Sequence, residues 1–279
     1  MAYRVYAMDT CFFTPHGNYD FDVRCEMLRE LGYEGTYLTL WSEQAWADLE
    51  RVPQVRQRHG LEVAAVYVTI DPWAPADHPE RQRIRRLVET LEGCNAIEIA
   101  TIRNRDGIGS SDPRGDDAAA AYLESLLEVA GKRGIQLFLY PHINAWLERV
   151  EDAVRLCERL QHPNLGAMFC AFHWFAADGQ DLFARLDAAR PWLRQVNLCG
   201  SRKSPNGVAG KATIEPLDEG ELDNFALIGH LQRIGYQGWI GFQGYSIAGD
   251  VYAKLKRSLT AFRDIESRLA RHPHWAKMR

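Results

Sequence analysis

Residues 32–40 read Gly32-Tyr33-Glu34-Gly35-Thr36-Tyr37-Leu38-Thr39-Leu40, a glycine that follows a helical stretch and leads into a short apolar run. The preceding residues, Asp22–Leu31, have the pattern of an amphipathic helix. Glycine adopts the left-handed conformation in which many helices end at the lowest cost. The run Gly35–Leu40 is too short and too apolar for a half-exposed antiparallel strand, so it predicts a parallel strand covered on both faces.

The same unit recurs along the whole chain, and Gly60, Gly134 and Gly235 also follow helical stretches. The predicted strands are Tyr3–Met8, Gly35–Leu40, Val63–Thr69, Ala96–Thr101, Gln136–Tyr140, Gly166–Cys170, Gln195–Leu198 and Trp239–Gln243. The predicted helices between them include Asp22–Leu31, Glu80–Glu92, Ala118–Lys132, Glu148–Leu160 and Glu221–Ile234. Eight such units fit a closed barrel or a doubly wound sheet, and no Gly-x-Gly-x-x-Gly opens the first unit, which disfavours the sheet. We therefore predict an α/β fold, a (β/α)8 TIM barrel in which residues 1–279 form a single domain.

Composition excludes several classes of protein. The 279 residues are 46% apolar, enough for a full core, and the formal net charge of −4 comes without any concentration of Lys or Arg, so we expect no nucleic-acid partner. The apolar runs are far shorter than the roughly 20 residues that span a bilayer, and the first residues predict a strand rather than a secretion signal. The six cysteines are scattered, which indicates reduced thiols and a cytoplasmic protein.

The side chains that end the predicted strands, or follow them, would face the C-terminal end of the barrel, where such barrels carry their chemistry. In this chain they are mostly aromatic rings and neutral hydrogen-bonding groups: Trp41, Tyr67, Tyr140, His142, Cys170, His173, Asn197, Gln243 and Tyr245. Aromatic faces suit the C–H faces of a sugar, and amide or hydroxyl edges suit its hydroxyl groups. The set predicts a pocket for a small-molecule carbohydrate.

Three stretches resemble the sugar phosphate isomerase/epimerase family, a branch of the xylose-isomerase-like TIM barrels. Residues 160–168, Leu-Gln-His-Pro-Asn-Leu-Gly-Ala-Met, look like the family's entry to strand six. Residues 215–223, Glu-Pro-Leu-Asp-Glu-Gly-Glu-Leu-Asp, look like its turn before helix seven, and residues 235–240, Gly-Tyr-Gln-Gly-Trp-Ile, look like its lead into strand eight. The resemblance covers the chain from about Leu31 to about Gln243. It implies the barrel and a carbohydrate enzyme.

Members of this family usually hold a divalent metal with Glu, Asp, His and Glu at the ends of strands five to eight. The resemblance places those four positions on Tyr140, Cys170, Asn197 and Gln243, so all four ligands are replaced. Hard cations such as Mg²⁺ and Mn²⁺ prefer anionic oxygen ligands, and these neutral groups predict no metal and no other cofactor. The alternative is a Zn²⁺ site on Cys170, His142 and His173, since thiolate and imidazole are zinc ligands.

The candidate catalytic residues are His173, His142 and Glu98. His173 matches the family's substrate-contacting histidine, although it could instead be held structurally beneath neighbouring aromatic rings, and His142 has the same two interpretations. Glu98 lies inside an apolar strand, where burial would raise its pKa into the range of a general acid or base. It could equally be the partner of Arg103 in an ion pair. Tyr140 could donate a proton or simply pack its ring.

The segment after strand seven, residues 201–211, carries Arg202, Lys203 and Lys211. These cations could hold a phosphate or a sugar carboxylate, or they could be solvated on a mobile loop. The predicted substrate-binding residues are therefore Trp41, Tyr140, Cys170, Asn197, Arg202, Lys203, Gln243 and Tyr245. Four tryptophans, Trp41, Trp73, Trp146 and Trp174, follow barrel strands and predict stacking on a sugar or covering of the pocket.

The leading functional hypothesis is a sugar isomerase or epimerase that transfers a proton next to a carbonyl group, with the metal's role taken over by neutral or imidazolium donors. A keto-sugar lyase is a related alternative. A second hypothesis is a carbohydrate-binding or regulatory protein that has lost catalysis. An apurinic-site endonuclease on the same fold would need a zinc cluster and a basic face, and the sequence shows neither. The chain could form a homo-oligomer.

Overall fold

The computed structural model describes residues 3–102 and 107–277. Its eight barrel strands, labelled β1 to β8, are Val5–Ala7, Gly35–Thr39, Glu62–Ile70, Ala96–Thr101, Gln136–Leu139, Leu165–Cys170, Leu193–Leu198 and Trp239–Phe242. Each strand pairs in parallel with its neighbours in the sequence, and β1 pairs with β8, which closes the barrel. The predicted (β/α)8 TIM barrel of one domain is therefore confirmed, with strand ends that differ from the predicted ones by at most two residues.

The α-helices of the described residues, α1 to α10, lie outside the barrel or in its loops. They are Phe21–Leu31, Glu43–Asp48, Val55–His59, Pro79–Thr90, Asp116–Arg133, Val150–Leu160, Ala171–Ala176, Leu182–Ala189, Asn224–Arg233 and Val251–Arg271. Short additional strands are Phe13–Thr14, Gly17–Asn18 and Lys203–Val208. No helix among the described residues is long and apolar enough to cross a membrane.

Local sequence explains where the helices begin and end. The carboxylate of Asp20 accepts a hydrogen bond from the backbone of Asp22 and caps α1, and Asp223 caps α9 through Ala226 in the same way. This cap delays the start of α9 relative to the predicted Glu221. Gly32, which follows α1, has the left-handed backbone conformation that its position requires, with φ of 92°.

The side chains fill two separate layers. One layer lies between the strands and the helices, and the other lies inside the barrel. The interior layer is unusually rich in tyrosine: the rings of Tyr6 and Tyr37 stack at 5.5 Å, and Tyr67 meets Tyr140 edge to face at 5.1 Å. The rings of Tyr6 and Tyr37 fill the lower barrel and support the side chains above them at the C-terminal end.

Gly241 in β8 faces the packed interior at a position that leaves no room for an added atom. A Cβ at this position would collide with Oδ1 of Asn197 and with the ring of Tyr6. We expect Gly241→Ala to lower the free energy of unfolding by about 1–3 kcal/mol or more, because the side chains around it have no room to move. Urea unfolding would measure this loss.

Gly109→Ala is the matched control, since a Cβ at Gly109 would meet open space. Its stability should equal that of the wild type or slightly exceed it. Equal stability of the two variants would contradict the packing described for the barrel interior.

Candidate active site at the C-terminal end of the barrel

A cavity of about 870 Å³ opens at the C-terminal ends of the strands. We call its nearly buried members, Met8, Tyr140, His173 and Gln243, the cavity floor, and its exposed aromatic residues, Trp41 and Tyr245, the cavity mouth. Threonines from four different strand ends or loops complete the polar wall: Thr10, Thr39, Thr69 and Thr101. Such a wall of hydroxyl groups and rings suits a polar, uncharged ligand.

His142 and His173 stand side by side at this cavity, with ring centroids 4.0 Å apart. The backbone of Ile143 contacts both rings. Its carbonyl oxygen lies 2.8 Å from Nδ1 of His142, and its N–H donates to Nδ1 of His173 over 3.4 Å. A carbonyl oxygen can only accept, so Nδ1 of His142 carries a proton, and in the neutral form of the ring the lone pair is on Nε2. In His173 the assignment is reversed, because Nδ1 accepts and the proton of a neutral ring is on Nε2.

Burial lowers the pKa of His173 well below its usual range, and the neighbouring His142 lowers it further. His173 is therefore a neutral imidazole at neutral pH. Its Nε2 is buried and has no hydrogen-bond partner among the described residues. A buried N–H without a partner is costly, so a ligand oxygen that came within reach of this N–H would be bound there.

Two other residues of the floor are held by their neighbours. The ring of Tyr140 meets that of His173 edge to face at 5.5 Å. The side-chain oxygen of Gln243 accepts hydrogen bonds from the hydroxyl of Thr10 at 3.3 Å and from the backbone of Gly244 at 3.1 Å. Tyr140 and Gln243 thus reach the cavity, as predicted from the sequence, while their substrate-binding role stays a prediction.

Asn197 and Cys170 point into the barrel but do not line the cavity. Oδ1 of Asn197 accepts a hydrogen bond of 2.6 Å from the hydroxyl of Tyr6, and its amide nitrogen lies 3.3 Å from Sδ of Met8. Because Met8 belongs to the floor, Asn197 lies beneath it. Cys170 is also buried, and burial raises the pKa of its thiol to about 11.

Glu98 is fully buried inside the barrel and does not line the cavity either. The hydroxyl of Tyr37 donates to Oε2, while Oε1 has no partner among the described residues. Burial raises the pKa of this carboxyl from its usual 4.5 to about 8, and the Tyr37 hydrogen bond opposes part of the rise. The suggested ion-pair partner, Arg103, lies outside the described residues. A base must reach the proton that it removes, so this position does not favour the predicted catalytic role.

Arg202 and Lys203 do not line the cavity, and both make contacts elsewhere. Arg202 forms a two-point ion pair with Glu215, at 2.7 and 3.1 Å. Lys203 lies 2.6 Å from Oδ1 of Asp178 and also donates to the carbonyl of Phe175. These contacts do not support the predicted binding of a phosphate or a sugar carboxylate by Arg202 and Lys203. The same hairpin contributes residues 206–209 to the cavity wall instead.

Of the four tryptophans predicted at the pocket, Trp41 lines the cavity and the other three do not. Trp73 and Trp146 pack edge to face at 5.9 Å, and the indole N–H of Trp146 donates to the carbonyl of Asp112. Trp174 packs against Phe169. The prediction is wrong for these three, because a tryptophan after a barrel strand can also seal the gap between loops and helices.

Three charged residues of the wall, Glu215, Glu219 and Lys254, were not among those predicted from the sequence. Glu215 pairs with Arg202, and Glu219 lies 2.6 Å from Arg257. Lys254 donates to the carbonyl of Ile247. None of them directly follows a strand end, so strand position alone could not identify them.

The four positions at which the family would hold a metal do not fit a divalent cation. Tyr140 and Cys170 are protonated, because burial raises the pKa of each side chain. The amide oxygens of Asn197 and Gln243 already accept hydrogen bonds from the protein. In the part of the chain that the structure describes, no three His, Cys, Asp or Glu side chains form a group that could hold a metal, zinc included. The metal-free site nevertheless stays a prediction.

Comparison with known proteins identifies the family to which this architecture belongs. A family model for xylose isomerase-like TIM barrels matches residues 17–262. Among solved structures, a 3-keto-D-glucoside 4-epimerase from E. coli shares 19% identity, with a TM-score of 0.72 over 94% of this chain and 100% of that chain. An L-ribulose 3-epimerase shares 14% identity, with a TM-score of 0.77 over 100% and 99%.

A probable 3-DHS dehydratase from Bacillus anthracis shares 16% identity, with a TM-score of 0.71 over 93% of this chain and 98% of that chain. No curated protein matches the sequence. At these identities, the solved structures show a shared fold.

The buried carboxyl of Glu98 leads to a pH-dependent stability. Between about pH 4.5 and pH 8 the unfolded chain loses this proton while the folded chain keeps it, so stability falls as the pH rises and the loss is complete above about pH 8. We expect Glu98→Gln, which cannot ionise, to be more stable than the wild type at high pH by on the order of several kcal/mol. At about pH 5 the two proteins should unfold at similar urea concentrations.

Glu124→Gln is the control, because Glu124 is an exposed residue of α5. We expect it to change the free energy of unfolding very little, and by the same amount at both pH values. If Glu98→Gln destabilised the protein by the same amount at both pH values, Glu98 would be ionised in the folded state.

Proposed function

Since the chain belongs to the xylose isomerase-like TIM barrel family, we propose that it is an isomerase or epimerase that moves a proton next to the carbonyl group of a carbohydrate. The observation that carries this proposal is the pair of histidines at the cavity, which have opposite tautomers set by the backbone of Ile143. Enolisation of a sugar needs a base for the α-proton and a donor for the carbonyl oxygen. The pair supplies one of each.

In the proposed mechanism, His142 is the base and His173 is the donor. Nε2 of His142 takes the proton from the carbon next to the carbonyl, and the electron pair of that C–H bond forms the carbon–carbon double bond of an enediolate. Nε2–H of His173 donates to the oxygen on which the negative charge develops. Return of the proton to the former carbonyl carbon gives the isomer, while the hydroxyl group on the neighbouring carbon loses its proton to the former carbonyl oxygen and becomes the new carbonyl group. The epimer forms when a water molecule protonates the original carbon from the opposite face and the resulting hydroxide takes the proton held by His142.

The low pKa of His173 supports its role as donor. A neutral imidazole donates a hydrogen bond to the enediolate oxygen without competing for the proton that His142 has to remove, and triosephosphate isomerase is a known precedent for a neutral imidazole in this role. Burial of Nε2 strengthens the interaction, because water does not compete with the substrate oxygen. Tyr140 and Gln243, which flank the pair on the floor, would hold substrate hydroxyl groups.

Glu98 is not assigned the role of base in this proposal. Its carboxyl lies below the floor and bonds to Tyr37 inside the barrel. A proton acceptor must lie within hydrogen-bonding distance of the substrate or be linked to it by one water molecule. The contacts support a place for Glu98 in the packing that carries the floor.

We further propose that the substrate is not phosphorylated. The charged side chains of the cavity wall are Glu215, Glu219 and Lys254 in the part of the chain that is described. Each of the two carboxylates is paired with an arginine, so among the described lining residues Lys254 is the one cation left, and it balances only half of the charge of a phosphate dianion. The two cations that could have offset this, Arg202 and Lys203, are paired with Glu215 and Asp178.

A second candidate function is a carbohydrate-binding protein without turnover. The neutral side chains at all four positions of the family's metal site favour it, because they lack the anionic oxygen ligands that the family's metal-dependent catalysis requires. A keto-sugar lyase would begin with the same proton abstraction and end with loss of a leaving group. Exchange of the substrate's α-proton with solvent separates the enzymes from the binding protein.

We expect the wild type to exchange the α-proton of its substrate with D₂O, observed as loss of a C–H signal in proton NMR, within a panel of unphosphorylated aldoses, ketoses and keto-glycosides. His142→Gln should lower the exchange rate by roughly 10²–10⁴-fold, because an amide cannot take the proton. His173→Ala should lose a similar factor, and His173→Gln should lose less, because its amide N–H still donates.

His274→Ala, an exposed histidine far from the cavity lining, is the control and should exchange at the wild-type rate. Absence of exchange with every sugar would favour the binding protein. Exchange that survives in His173→Ala while sugar affinity falls would make His173 a recognition group.

Removal of divalent metals should leave the activity unchanged. After dialysis against EDTA, we expect α-proton exchange within twofold of the untreated rate, because the residues at the family's metal positions are neutral. Added Mn²⁺ or Zn²⁺ should not raise the rate. Loss of exchange that a specific metal restores would show that the site holds an ion after all.

A further inference from the structure

Two large aromatic side chains at the cavity mouth are kept in contact with water. Trp41 exposes 50% of its surface and Tyr245 exposes 39%, and both line the cavity. Tryptophan and tyrosine bury most of their surface in folded proteins unless a ligand or partner covers them. The two rings also contact each other edge to face, at 6.0 Å.

The neighbours of Trp41 orient its indole ring without covering a face. Tyr67 and Tyr245 meet it edge to face, at 84° and 83°, and Phe13 is tilted at 58°. Within the described part of the chain, no ring stacks on Trp41. Three rings therefore fix the indole ring, and its face remains for a ligand.

The mouth is separated from the histidine pair by two intervening rings. Contacts lead from Trp41 to Tyr67 at 5.9 Å, from Tyr67 to Tyr140 at 5.1 Å, and from Tyr140 to His173 at 5.5 Å. Among the described residues, Trp41 makes no ring contact with Tyr140 or His173. A cavity of about 870 Å³ is also near the upper end of the roughly 300–1,000 Å³ found for small-molecule sites. One sugar ring at the histidines would leave the mouth empty.

The loop that carries Tyr245 is held in an unfavourable conformation. Ser246 and Ala248 both have positive φ, at 61° and 58°, although neither is glycine. The ammonium group of Lys254, on α10, donates a hydrogen bond of 2.5 Å to the carbonyl oxygen of Ile247 and so holds this loop. Backbone strain of this kind persists where the surroundings enforce it, and it is concentrated at binding sites. The loop in this conformation carries Tyr245 beside Trp41.

From these observations we propose that Trp41 and Tyr245 form a subsite for a second sugar ring, so that the ligand is a neutral glycoside of at least two rings. The C–H face of the second ring stacks on the indole of Trp41, and the first ring lies against His142 and His173. The position of the first ring rests on the proposed function, whereas the stacking requires no catalysis. Sugar rings present apolar C–H faces that aromatic rings recognise, and Lys254, the one Lys or Arg among the described lining residues, donates to the carbonyl of Ile247.

Isothermal titration calorimetry with matched pairs of sugars tests the subsite: D-glucose with cellobiose and maltose, D-galactose with galactobiose, and D-mannose with mannobiose. At least one disaccharide should bind the wild type about tenfold more tightly than its monosaccharide. Trp41→Ala should remove this advantage and change the monosaccharide affinity less than twofold. Tyr245→Phe keeps the ring and should preserve the advantage.

Trp275→Ala is the matched control, because Trp275 is equally exposed, at 54%, but does not line the cavity. It should bind every sugar as the wild type does. If no disaccharide binds more tightly than its monosaccharide, or if Trp41→Ala keeps the advantage, the subsite is refuted. In that case, α-proton exchange on a monosaccharide would still support the proposed function. If instead a disaccharide binds more tightly but no sugar shows exchange, the proposed function is refuted and the subsite is not.

Discussion

The inside of a closed eight-stranded barrel must be filled by side chains, and the way in which it is filled decides which residues can meet a ligand. Here the stacked rings of Tyr6 and Tyr37 occupy the lower barrel, and the hydroxyl of Tyr6 binds Asn197 across it. Met8 covers this layer and forms part of the cavity floor. Residues at neighbouring strand ends therefore differ in role. Those at or above the floor reach the cavity, and those below the floor support it.

This division has a chemical consequence. A site that holds a divalent cation stabilises negative charge on a substrate by direct Coulomb attraction, and anionic ligands balance the ion. In this chain the corresponding positions are neutral, and part of the set lies below the floor. In the proposed function, stabilisation of charge would depend on hydrogen-bond donors fixed before the substrate arrives, such as Nε2–H of His173. The wall of threonine hydroxyl groups and aromatic rings is consistent with the same kind of recognition.

Sequence patterns predict the fold well because strand length, apolar content and helix-ending glycines such as Gly32 are local properties. The cavity residues Tyr140, His142, His173 and Gln243 could also be predicted from the sequence, since each follows a strand end. The depth of a side chain inside the barrel could not be predicted in this way. Whether Asn197 or Glu98 reaches the cavity depends on how much of the barrel interior is occupied by Tyr6 and Met8, which come from a different part of the chain. The pairing of Arg202 with Glu215 also joins residues 13 positions apart across a loop, and no periodicity indicates it.

The control of both histidine tautomers by Ile143 has a consequence for how the site tolerates change over evolution. The carbonyl oxygen and the N–H that set the two protonation patterns belong to the main chain, and every residue except proline provides both of them. The side chain at this position is therefore free to vary to suit different ligands while the proton positions are inherited unchanged. Substrate preference and proton chemistry can thus diverge independently at one and the same residue.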